Sequence, residues 1–325
     1  MVSQTDIRCA ILDDYQNVAL TLADWTAVRS RVDVRVFQEH FRNENDLVAA
    51  IEDCQIVVAM RERTPFPRSL FARLPDLKLL VTTGMKNAAI DLAAARDFGV
   101  LVSGTESLVH PTAELTWGLI LALARKIPLE AEAFRRGGRW QQSLGTDLKG
   151  KRLGIVGLGR LGTRVALIAR AFEMDVVAWS QNLTAERCRA AGASLAGSLD
   201  ELLATSDFVS LHLVLSERTR GLIGERELRQ MKQSAFLINT SRGPIVDESA
   251  LLRALTEGWI AGAGIDVYDE EPVPPDHPLR RAPNLVATPH IGYVTEDNYR
   301  LFYGMVVENI AAWLSGAPIR LLNAP

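Results

Sequence analysis

Three side chains in the second half of this 325-residue sequence have the types needed to act together on a carbonyl group: a guanidinium, an imidazole and a carboxylate. Arg242 stands in Asn239-Thr240-Ser241-Arg242-Gly243, directly after a short apolar run. That places it at a strand's C-terminal end, the edge that lines the ligand crevice in open α/β sheets. Its planar fork could hold a carboxylate through two hydrogen bonds, although an exposed salt bridge is the competing reading for any single arginine. Asp266-Val267-Tyr268-Asp269-Glu270-Glu271 follows another apolar run, and four carboxylates in six residues are as readily a solvated acidic loop. Of five histidines, only His290, in Thr288-Pro289-His290-Ile291-Gly292, lies at a strand end with a glutamate candidate upstream. An imidazolium suits proton donation to a developing alkoxide because its unperturbed pKa lies near neutrality, and a carboxylate neighbour such as Glu271 favours the charged ring.

A second constellation is built of glycine. Gly157-Leu158-Gly159-Arg160-Leu161-Gly162 follows a strand candidate at 152–156 and opens a helical pattern. Such glycines allow a tight turn, close backbone approach to a diphosphate and close helix–sheet packing, with the phosphates at a helix N-terminus. The acidic residue that usually binds the ribose 2′-hydroxyl of NAD at the next strand end is missing: Ser180 stands there, followed by Gln181 and Asn182. Asp175 begins its strand rather than ending it, no arginine adjoins Ser180, and Arg187 reaches back only if the turn folds over. The cofactor expected is therefore NAD or NADP, with neither excluded.

Positioning these groups requires parallel strands. Short apolar runs at 7–12, 32–37, 56–59 and 77–81 alternate with helix-like spacing at 20–29, 44–51, 68–73 and 90–97, a βαβα order that implies a parallel sheet. The alternation resumes after Gly150, with strands expected at 152–156, 175–179, 208–213, 236–239, 261–265 and 285–287 and helices at 161–172, 199–204 and 248–257. The fold class expected is α/β, with two doubly wound parallel-sheet domains. Residues 113–127 read as a helix that is apolar nearly all round, which demands cover on every side and points to a subunit interface and a homodimer. A last helix opens near Thr295 and should pack back on the first domain. The domains then run 1–107 with 295–325, and 108–294.

Composition narrows the classes. Apolar residues make up 48% and charged residues 23%, and the net charge is −3, giving no general attraction to nucleic acid or an anionic membrane. The densest apolar stretch, 115–124, is far short of the roughly 18 residues a membrane span needs. Cys9, Cys54 and Cys188 support neither a disulfide framework nor a zinc site, and no basic patch precedes an apolar run at the start. A small-molecule partner and a cytoplasmic setting are expected, and no metal.

The motifs GLGRLG, NTSRG, GIDVYDEEP and TPHIG, in that order, resemble the D-isomer-specific 2-hydroxyacid dehydrogenase family, most strongly over 151–293. The resemblance implies a Rossmann domain inserted into a discontinuous flavodoxin-like substrate domain. It implies hydride transfer between nicotinamide and C2 of a D-2-hydroxy or 2-keto acid, with Arg242 on the substrate carboxylate, His290 as acid/base and Glu271 as its partner. Asp266 would contact the nicotinamide end, and further cofactor contacts fall at Thr112, Leu213, Val214, Thr240 and Gly292. Backbone N–H groups of Thr83, Gly84, Met85 and Lys86 would hold the substrate carboxylate. Val214 and Ser216 depart from the family's His-x-Pro-Leu-Thr.

Arg61 and Arg63 follow a first-domain strand and, with Lys86, offer charge for a second anion. Their pattern is similar to the phosphoglycerate dehydrogenase branch, which adds 3-phosphoglycerate to hydroxypyruvate and glyoxylate as candidates; solvated arginines are the equal alternative. A dinucleotide-sensing protein of the corepressor type, with little turnover, is the competing function.

Overall fold

The computed structural model of the chain describes residues 7–324; the first six residues, which bear on the expectation of no leader, and residue 325 lie outside it. The chain divides into two compact units, one running to Leu108 and resuming at Thr295, the other spanning Val109–Val294.

The first unit alternates β1 (Ile7–Ile11), α1 (Thr26–Arg29), β2 (Val32–Val36), α2 (Glu44–Ile51), β3 (Ile56–Ala59), α3 (Arg68–Ala72), β4 (Leu79–Thr82), α4 (Leu92–Asp97) and β5 (Leu101–Gly104). All five strands are parallel, in the order β2-β1-β3-β4-β5. Ala10, Leu12, Val57, Ala59, Leu80 and Val102 point to one face and pack on α2, α3 and α4 through Leu47, Ile51, Leu70, Phe71 and Ala94. Since side chains alternate across a strand, Cys9, Ile11, Val58 and Val81 turn to the other face, and they too are buried.

The second unit contains α5 (His110–Ala124), α6 (Ile127–Arg135), β6 (Arg152–Val156), α7 (Arg160–Ala171), β7 (Asp175–Trp179), α8 (Ala185–Ala190), β8 (Ser194–Leu195), α9 (Leu199–Thr205), β9 (Phe208–Leu211), α10 (Glu225–Gln230), β10 (Phe236–Asn239), α11 (Glu248–Thr256), β11 (Gly262–Ile265) and β12 (Leu285–Ala287). Its seven strands, all parallel, run β12-β11-β10-β9-β6-β7-β8. Leu153, Ile155, Phe208 and Ile238 face α5 and α7, while Val156, Val209, Leu237 and Ile265 face the opposite helices. The final helix, α12 (Glu296–Leu314), belongs to the first unit, packs against β4 and α1, and buries Phe302, Tyr303, Val306 and Ile310 completely. It covers the face that α2, α3 and α4 leave open.

Two expectations are corrected. The helix read over 20–29 shrinks to α1 because Trp25 is buried and its indole N–H donates to the Ala19 carbonyl at 2.8 Å, which holds the preceding chain in turns. The helix read over 113–127 stops at Ala124, where Lys126 takes a left-handed φ of 50°. Its apolar girth is met within its own unit: Ala113, Trp117, Ile120 and Leu123 are buried in the core shared with α7 and the sheet. Three strongly exposed apolar side chains follow it in sequence, Phe134, Trp140 and Leu144 (72%, 80% and 91% exposed).

Candidate active site

β10, β11 and β12 are neighbouring parallel strands, so their C-terminal ends open on one edge of the sheet. Arg242 lies just beyond β10, Asp266 and Glu271 beyond β11, and His290 beyond β12. The three motifs are thereby brought to one edge by topology.

The glutamate and the histidine are paired. His290 Nδ1 lies 2.5 Å from Glu271 Oε2, and the other oxygen of Glu271 accepts the backbone N–H of Tyr268 at 2.9 Å. With both oxygens engaged the carboxylate cannot rotate away, and Nε2 of the imidazole is the ring atom left to face a reactant. His290 adopts a left-handed φ of 52°, a conformation in which a non-glycine residue persists only when its surroundings fix it. Asp266 supplies that fixation. Its Oδ1 accepts from the Thr288 hydroxyl (2.6 Å) and the Ile291 N–H (2.8 Å), and its Oδ2 accepts from the Gly292 N–H (2.8 Å). The carboxyl is buried, and burial pushes its pKa up; the Thr288 and backbone hydrogen bonds and the nearby His290 oppose that rise. Asp266, expected at the nicotinamide end, turns both oxygens to residues 288–292 and so shapes the turn that carries His290.

Arg242 is extended (φ −150°), its carbonyl accepts from the Asn239 amide at 3.0 Å, and its Nη1 donates to the Ser241 carbonyl at 2.7 Å. Ser241 in turn donates to the Leu211 carbonyl. The next residue, Gly243, was not singled out from sequence, but a Cβ there would fall 2.0 Å from the Tyr268 carbonyl carbon. The turn carrying Arg242 therefore rests directly on the backbone whose N–H holds Glu271. Thr116 donates to the Thr112 carbonyl, so the 2.8 Å contact between Thr116 and Thr240 must be a donation from Thr240. Thr112 donates to the Gly292 carbonyl at 3.1 Å, tying the start of α5 to the His290 turn.

The glycine loop fits a dinucleotide diphosphate. Gly157 has φ +100°, and a Cβ would lie 2.5 Å from the His212 carbonyl oxygen. Gly162 is closed by the Gly157 carbonyl oxygen, 2.1 Å from where its Cβ would stand. Gly159 meets nothing within 4 Å, so its missing side chain leaves a cradle at the N-terminus of α7, whose N-cap carries no side-chain hydrogen bond. Arg160 and Leu161 open that helix, which offers free N–H groups and a positive dipole end to an anion. Ser180, at the end of β7, and Leu213 and Val214, after β9, lie beyond strands of the same sheet and on the same edge; Val214 is 86% exposed. Asp175 is remote, pairing with Arg152 at the strands' other ends. Arg187 lies within α8, capped by Thr184.

In the first unit, residues 83–86 follow β4 and Arg61 follows β3, again at the C-terminal edge. The loop is pinned: Thr83 N–H donates to the Ala59 carbonyl and Gly84 N–H to the Thr105 hydroxyl. Of the N–H groups in the loop expected to hold a carboxylate, these two are engaged within the unit, while those of Met85 and Lys86 carry no hydrogen bond among the described residues. Arg61 lies against this loop, its Nη1 2.1 Å from where a Gly84 Cβ would stand. Arg63 does not join it: Nη1 donates to the Asp13 carbonyl at 2.8 Å and the guanidinium stacks over Tyr15 at 4.3 Å.

Among the described residues no cluster of histidine, cysteine and carboxylates could hold a metal, and no helix is long and apolar enough to cross a membrane. Residues 117–292 match the family D-isomer specific 2-hydroxyacid dehydrogenase, NAD binding domain. The chain is 42% identical over 265 residues to a glyoxylate reductase of Aeropyrum pernix, covering 78% of each chain. It is 36% identical over 276 residues to a D-3-phosphoglycerate dehydrogenase of Methanocaldococcus jannaschii, 84% of this chain and 52% of that one, so it spans about half that relative's length. Its structure matches a phosphoglycerate oxidoreductase from Vibrio cholerae with a TM-score of 0.91 at 34% identity, covering 96% of this chain and 100% of the other. A family match over more than half the chain, with relatives above 30% identity along most of it, makes this protein a member of the D-isomer specific 2-hydroxyacid dehydrogenases, oxidoreductases that depend on NAD(P).

Proposed function

We propose that this chain interconverts a short 2-keto acid and its D-2-hydroxy acid, with unit 2 holding the dinucleotide and the acid/base pair. The dinucleotide, when bound, supplies or accepts the hydride at C2. Gly157, Gly159 and Gly162 would receive its diphosphate, with Arg160 and Leu161 at the helix start. Arg242 binds the substrate carboxylate and draws electron density from the carbonyl oxygen. His290 gives a proton from Nε2 to the developing alkoxide in reduction and takes one in oxidation. Glu271 fixes the ring's orientation and its Nδ1–H tautomer.

The observation that carries this reading is the 2.5 Å contact of His290 with a glutamate whose second oxygen is already held. His290→Ala should lower kcat by about 10²–10⁴, and Arg242→Ala should lower kcat/KM at least tenfold, while dinucleotide binding survives in both. Near-normal turnover by either variant would refute the role assigned to that residue.

Only one of the two arginines expected to hold a second anion lies at the 83–86 loop, which favours a small acid such as glyoxylate or hydroxypyruvate over 3-phosphoglycerate. Relatives named glyoxylate reductase support that choice. Comparing kcat/KM on glyoxylate, hydroxypyruvate and 3-phosphohydroxypyruvate tests it, and absence of turnover on every keto acid would favour a dinucleotide sensor. The exposed Phe134, Trp140 and Leu144 are the support for proposing a homodimer contact on α6 and the segment after it, beside the helix first expected to form it. Sedimentation of a Phe134→Glu/Trp140→Ser variant as a monomer would support that placement. Three free, buried thiols fit the reducing cytoplasm.

A further inference from the structure

We propose that Arg218 is the residue that sets cofactor choice, and that it selects the 2′-phosphorylated dinucleotide, NADP(H). The inference rests on the reading of unit 2 as the dinucleotide-binding unit. It starts from the end of β7, where an NAD-selective site places a carboxylate on the ribose 2′-hydroxyl. Here the strand gives way to Ser180, Gln181 and Asn182, and the Leu183 N–H donates to the Ser180 carbonyl at 3.0 Å, closing a tight turn with Gln181 and Asn182 exposed at its corner. No carboxylate stands in that turn to repel a phosphate.

An arginine arrives there from elsewhere in the chain. Arg218, on the loop after β9, donates from Nη1 to Gln181 Oε1 at 3.1 Å. The loop beneath it is braced: the Thr219 hydroxyl donates to the Val214 carbonyl at 2.8 Å and accepts the Ser216 N–H at 2.8 Å, and the Arg220 N–H returns to the Ser216 carbonyl. Arg218 is exposed and forms no ion pair among the described residues, whereas Arg226, Arg229 and Arg253 in the same unit each hold carboxylates. A guanidinium whose one partner is a neutral amide is electrostatically unspent. A phosphomonoester carries close to two negative charges at pH 7 and matches the guanidinium fork. The Ser180 hydroxyl and the Gln181 and Asn182 amides add neutral donors beside it. A bare 2′-hydroxyl would gain nothing from the arginine's charge.

The test is equilibrium binding, read from calorimetry. The intact chain should bind NADP⁺ and the fragment 2′,5′-ADP more tightly than NAD⁺ and 5′-AMP by roughly 10- to 100-fold, the worth of one or two charge-assisted hydrogen bonds. Arg218→Gln should erase most of that preference by weakening NADP⁺ and 2′,5′-ADP while leaving NAD⁺ within about twofold. Raising the salt should narrow the preference in the intact chain and not in the variant. Equal or tighter binding of NAD⁺ by the intact chain, or an equal loss of both cofactors in Arg218→Gln, overturns the proposal. Failure of both dinucleotides to bind overturns the parent reading as well, so the two failures are distinct.

Discussion

Nδ1 of His290 faces Oε2 of Glu271 at 2.5 Å, while Oε1 of the same glutamate is taken by the Tyr268 N–H. A carboxylate can only accept, so the imidazole must present Nδ1–H to it, and Nε2 is then the ring atom that would exchange a proton in the proposed reaction. In Glu271→Gln the amide oxygen would stay on the Tyr268 N–H, which turns the amide NH₂ toward Nδ1 and forces the opposite tautomer. The ring would then carry its proton on Nε2 without a carboxylate to stabilise the imidazolium. Turnover in both directions should fall about 10²-fold or more, with dinucleotide affinity unchanged in a fluorescence titration. Retention of full oxidation activity would show that the pairing is only structural.

Gly159 and Gly162 separate ligand from fold. Gly159→Ala meets nothing within 4 Å and sits in extended backbone, so thermal stability should be unchanged while dinucleotide affinity drops tenfold or more. Gly162→Ala puts a methyl 2.1 Å from the Gly157 carbonyl oxygen and should lower both Tm and affinity. Tight cofactor binding by Gly159→Ala would remove the diphosphate from that cradle.

Gly243→Ala drives a methyl into the Tyr268 carbonyl. The collision is backbone against backbone, so the turns bearing Arg242 and Glu271 must part. Displacements near 1 Å in a catalytic array cost about 10²-fold, and kcat of this variant should fall by that order while cofactor binding holds. An unimpaired kcat would mean that the two turns do not set each other's position.

Acid should destabilise the fold through His212, which burial holds down to about 4 and whose Nε2 contacts the Ser210 hydroxyl at 2.8 Å. The unfolded chain takes up this proton below about pH 6.5, whereas the folded chain refuses it until about pH 4. The stabilisation is therefore complete above about pH 6.5 and lost progressively as the pH falls to about 4, at most roughly 3 kcal/mol. Melting curves at pH 7.5 and 5 should show a smaller drop for His212→Asn than for the native chain. Equal drops would assign the acid sensitivity to other groups.

Strands buried on both faces were legible from composition alone: 56–59, 152–156 and 236–239 are short apolar runs and became β3, β6 and β10 without change of boundary. The exposed pieces were not legible. α8 buries only Cys188, both residues of β8 are exposed, and α10 buries only Leu228, so none has an apolar rhythm to read. At the site, residue types at strand ends suggested Arg242, Glu271 and His290. Gly243 and Arg218 were hidden, because Gly243 acts through a carbonyl 25 residues away and Arg218 meets Gln181 across 37. Such contacts depend on which strands lie side by side, and local pattern does not carry that information.

The first unit is completed by the last helix of the chain, with the whole of Val109–Val294 intervening. On the ribosome, the five-stranded sheet can therefore shield one flank early, while its other flank, with Ile11, Val58 and Val81, stays wet until α12 emerges. During that interval a nascent chain exposes a greasy surface open to chaperones and to neighbouring nascent chains. Stalling or truncating translation before residue 296 should yield aggregates rather than a functional half.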